Sequence, residues 1–114
     1  MKTTKADFKL FKETFVKWQN KLGLTQYAVL FQHCELDGKY AEVHIDQLGK
    51  TAVVNLGLDS ANEAPPMDVR LHAKHEAIHL LLSRLSWLGQ ARYIENDDLE
   101  EEDEAIVRRL EKVL

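Results

Sequence analysis

The chain has 114 residues, 45% hydrophobic and 30% charged, with five Gly and two Pro. That fits a single domain over residues 1–114 and excludes a disordered, collagenous or low-complexity chain. The net charge of −4 hides an asymmetry, because residues 95–104 carry eight of the nineteen acids while fifteen Lys and Arg lie elsewhere.

Residues 4–22 read as a helix. Phe8, Phe11, Phe15, Trp18 and Leu22 recur at steps of three and four and form one apolar stripe. Thr4 can cap its start, Asp7 suits its first turn, and Gly23 stands where a left-handed cap belongs. Lys2, Lys5, Lys9, Lys12, Lys17 and Lys21 are spread singly along this segment, with no Arg cluster. They read as a solvated helix face rather than a nucleic-acid footprint. The segment also lacks the apolar core of a signal peptide.

From Thr25 the period changes to two. Residues 27–35, 40–46 and 51–58 read as three strands, separated by Asp37-Gly38 and by a turn containing Gly49. Strands so close in sequence suggest an antiparallel meander, since parallel neighbours need a crossover. His33 and Cys34 fall on the first strand and His44 on the second, as packed or surface residues. Cys34 is the only cysteine, which excludes an internal disulfide framework and suits a reducing, cytoplasmic setting.

Residues 60–64 read as a polar linker, and Pro65-Pro66 as the opening of a long helix that reaches Trp87 and closes at Gly89. Leu71, Ile78, Leu82 and Leu85 form an apolar stripe along it. A last helix begins near 96–98 and carries Leu99, Ile106, Leu110 and Val113 inward. Its acids suit the positive end of the helix dipole. No apolar run approaches the roughly 18 residues of a membrane span, so no membrane partner is expected.

The long helix contains His75-Glu76-Ala77-Ile78-His79, the pattern H-E-x-x-H. Residues i and i+4 of a helix differ by about 40° and one turn, so both imidazoles can share one cation. Glu76 lies about 100° from His75, close enough to take a proton from a water that the cation acidifies. Chance gives about 0.02 such pentapeptides in a chain of this composition. A catalytic zinc needs a third protein ligand. On a wheel of the last helix Asp103 sits mid-face and Glu102 at its edge, so these two acids can look inward.

At these residues the chain resembles a family. His75-Glu-x-x-His79 followed by Glu102-x-x-Ala105 is similar to minimal zincin metallopeptidases with a glutamate third ligand. The nearest likenesses are the ImmA/IrrE-like and SprT-like domains and small metallopeptidases encoded by phages and prophages. The resemblance implies an α+β zincin-like domain: an N-terminal helix, three antiparallel strands, the H-E-x-x-H helix and a C-terminal ligand helix. It implies His75, His79 and Glu102 as ligands of Zn2+, with Asp103 the competitor for the third place, and Glu76 as general base. It further implies an edge strand that pairs with a peptide or protein substrate, and residues 51–56 are the candidate. Tyr93, Arg92 and His72 are the candidates for stabilising an oxyanion. A zinc-dependent peptidase is the expected function. The rival readings are a non-catalytic zincin-shaped regulatory or protein-binding module with a structural zinc, and a small nucleic-acid-associated protein.

Overall fold

The computed structural model describes residues 2–59, 68–90 and 95–114. Helix α1 spans Lys5–Lys21. The Thr4 hydroxyl accepts from the Asp7 amide at 3.1 Å, and the Asp7 carboxylate accepts from the Thr4 amide at 2.8 Å, a reciprocal capping box. Gly23 ends the helix at φ 69°, a conformation that costs glycine little. Phe11 and Phe15 are fully buried and Leu22 nearly so. The lysines stay on the other side, and the Lys17 and Lys21 ammonium groups lie over the Trp18 ring.

Strands β1 (Ala28–Cys34), β2 (Ala41–Asp46) and β3 (Thr51–Gly57) form one sheet, but its order is β1-β3-β2. β2 and β3 are an antiparallel hairpin, while β1 runs parallel to β3. The sheet is therefore mixed and not an antiparallel meander. The physical reason lies in the connection: the chain leaving β1 crosses the end of β3 before it starts β2. Asp37 and Gly38 make the required turn at φ 55° and 82°. The backbone then passes so close to Gly57 that a Cβ there would collide with the Lys39 carbonyl oxygen. The Gly57 amide donates to the Tyr40 carbonyl at 2.7 Å across this crossing. β2 itself thus lies within the crossover that a parallel β1–β3 pair demands. Gly57→Ala is expected to cost about 1–3 kcal/mol, since backbone and not a flexible side chain must yield; chemical denaturation measures it.

The order also moves the edge. Residues 51–56 belong to the central strand, and β2 is the outer strand beside the long helix, the two being in contact. One face of the sheet, with Phe31, Val43, Ala52, Val54 and Leu56, packs into the core. Phe15 meets Phe31 edge-on at 5.5 Å between ring centroids.

Helix α2 spans Val69–Gln90. Asp68 caps its described start, accepting from the Arg70 and Leu71 amides at 3.1 and 3.2 Å. The proposed opening at Pro65-Pro66 and the linker before it lie outside the described residues. Gly89 does not close the helix; it sits within the last turn with open space around it. The buried side of α2 is Val69, Ala73, Ala77, Leu80, Leu81 and Leu88. Leu71, Ile78 and Leu82 are instead exposed. Small Ala73 and Ala77 face inward, a side a hydrophobic count overlooks. Helix α3 spans Asn96–Glu111 and packs on α2, with Ile106 buried and Leu110 partly so. Among the described residues no helix is long and apolar enough to cross a membrane.

Candidate metal centre

The H-E-x-x-H pattern falls in the middle of α2, where regular helix geometry fixes the direction of each side chain. His75 and His79 project to the exposed side, and their Nε2 atoms lie 3.1 Å apart. Two nitrogens bound tetrahedrally to one zinc at about 2.0–2.1 Å are about 3.3 Å from each other. The imidazole pair therefore already has the spacing of two ligands to one ion. Glu76 completes a group whose donor atoms all fall within 4.8 Å of one another.

Glu76 differs from its neighbours in environment. It is only 6% exposed, and its Oε2 is buried without a hydrogen-bond partner among the described residues. A lone carboxylate oxygen in that position is costly unless a cation, a proton or a water meets it. Burial raises the pKa of Glu76; His79 and His75 act against the rise, and Glu42 adds to it. The donor set thus fits a divalent cation: two imidazole nitrogens, with an unsatisfied carboxylate beside them.

A groove runs between α2 and β2. Val43, Ile45, Leu82 and Trp87 line one stretch of it with Glu76 and His79. Tyr40, Leu71 and His72 line the other with His75 and Glu76. Buried polar bonds hold its two sides together. The Tyr27 hydroxyl donates to Gln47 Oε1 at 2.9 Å, and Gln47 Nε2 donates to Ser83 Oγ at 2.6 Å. That chain ties the β2–β3 turn to α2 directly beyond the histidines. Glu42, on β2, accepts from Asn55 Nδ2 at 3.3 Å and pairs with His44 Nε2 at 2.9 Å. These bonds, the His44 contact foremost, hold the Glu42 pKa below its ordinary value. Sequence reasoning missed Glu42, Asn55 and Gln47. The available signal was a pair of amides in segments otherwise destined for burial.

His72, one of the proposed oxyanion partners, does reach the groove, where its ring stacks on Tyr40 at 3.9 Å between centroids. Arg92 and Tyr93 lie outside the described residues. Of the two acids on the last helix, Glu102 turns inward and Asp103 is exposed, the reverse of their order on the wheel. Glu102 is not brought to the imidazole pair. Its Oε2 lies 3.3 Å from Arg84 Nε, and Arg84 follows His79 by five residues, about 140° round the helix. No protein-family model, curated protein or solved structure matches this chain.

Proposed function

We propose that the chain is a zinc-dependent peptidase whose substrate lies in the α2–β2 groove. The observation that carries this reading is the buried, unpartnered Glu76 Oε2 beside two imidazole nitrogens 3.1 Å apart. Zinc, when bound, lowers the pKa of a water to near neutrality and polarises a carbonyl. The Glu76 carboxylate would accept the proton of the attacking water and return it to the departing amine. The open edge of β2 pairs with the extended main chain of the substrate and aligns a carbonyl opposite Glu76. A structural ion alone would leave that buried carboxylate with no role.

Glu102 supplies the third ligand in this reading, on the strength of the family resemblance. It does so by exchanging Arg84 for the cation. Arg84 is 43% exposed, so that ion pair is worth about 1 kcal/mol or less and opposes the exchange only weakly. The test is removal of metal by chelation and stepwise return of zinc, with cleavage of an unfolded protein followed throughout. Activity should vanish on chelation and return at one zinc per chain. Glu102→Ala should weaken zinc binding by at least about tenfold, while Asp103→Ala leaves it unchanged. Equal affinity in both variants removes Glu102 from the ligand set, and zinc-independent cleavage removes the reading altogether.

A further inference from the structure

We propose that Glu42 sets the specificity of the groove by receiving the Lys or Arg side chain of a peptide laid along β2. The inference rests on the groove being a peptide site. β2 is an edge strand, paired only with β3 among the described residues. A peptide added to its open edge places every second side chain on the sheet face that Glu42 occupies. The residue paired with Glu42 then has its Cβ about 4.5–5.5 Å away.

The Glu42 carboxylate is held for such a partner. Its Oε1 takes both the Asn55 and the His44 contacts, and Oε2 makes no hydrogen bond among the described residues. Asn55 is itself 6% exposed, at the centre of β3, and so anchors Glu42 from within the sheet. Lys39, exposed, is the one Lys or Arg side chain lining the groove among the described residues. An anchored carboxylate with one oxygen unpaired among the described residues favours a cationic side chain on the peptide residue opposite it and repels an acidic one.

Binding and cleavage separate this inference from the peptidase reading. Zinc-loaded Glu76→Gln chain is titrated with short, extended Thr- and Val-rich peptides that differ only in one central residue: Arg, Ala or Glu. Fluorescence anisotropy should show the Arg peptide binding about fivefold tighter than the Ala peptide, and the Glu peptide weakest. Adding Glu42→Gln should level the three, and Glu42→Lys should reverse their order. Both substitutions lie at a half-exposed position, and circular dichroism checks the fold. Equal binding of the three peptides, binding of none, or a preference that survives Glu42→Gln overturns the inference. Wild-type chain is then offered the same peptides. Cleavage without a basic preference overturns the inference and leaves the peptidase; basic preference in binding without cleavage does the opposite.

Discussion

Replacing Glu76 by Gln should lower peptide hydrolysis by about 10²–10⁴-fold, the range that a positioned general base supplies. Zinc content should stay unchanged. The substitution preserves shape and removes only the ability to accept a proton, so retained metal with lost turnover separates proton transfer from metal binding. Undiminished turnover in this variant would leave Glu76 without its assigned task. The same exchange has a second readout in stability. Burial raises the pKa of Glu76 above 4.5, so the folded, metal-free chain binds this proton more tightly than the unfolded chain does. That contribution is fully present below pH 4.5 and is lost as pH rises through the folded pKa. With chelator present, the wild-type chain should therefore lose stability relative to Glu76→Gln over that window. Parallel urea titrations at several pH values measure the difference, and identical pH profiles would contradict the burial of the charge.

The double variant His75→Ala, His79→Ala should fall from one zinc per chain to none. Both imidazoles are exposed and neither is part of the core, so the metal-free stabilities of variant and wild type should lie close together. The contrast appears when zinc is added. A ligand that binds only the folded chain stabilises it by about 4 kcal/mol at 1,000 times its dissociation constant. For a domain of this size each kcal/mol raises Tm by about 4 °C. Wild type should gain that shift with zinc and the double variant should gain nothing. Equal zinc-induced shifts would place the ion elsewhere in the molecule.

Local signals in the chain were read well because their physics is local. Thr4, Asp7 and Gly23 mark the ends of α1, and the capping box and left-handed glycine stand there. His75 and His79 share a direction through helix geometry alone, which no tertiary contact needs to arrange. Sheet order is a different kind of information. A period of two says which side chains share a face, but β1 pairs with β3 because Gly57 lets the connection pass, a contact between positions distant in the chain. The exposed stripe on α2 failed for a related reason. Leu71, Ile78 and Leu82 are larger and more apolar than Ala73 and Ala77, yet helix packing favours the small residues where backbones approach. The wheel of α3 favours Asp103 over Glu102, and the structure has the reverse, because a helical wheel carries no knowledge of the partner helix, and so none of Arg84.

The outer border of the groove is main chain. On β2 the amides and carbonyls that do not reach β3 point away from the sheet, whichever residues carry them. Drift at Val43 or Ile45 therefore leaves this border intact, whereas a proline would remove a donor from it. The two prolines of the chain are residues 65 and 66, and β2 contains none. In the proposed peptide site, affinity for an extended chain and choice among such chains would thus reside in different atoms, the first in the outward main chain of alternate β2 residues and the second open to change one side chain at a time.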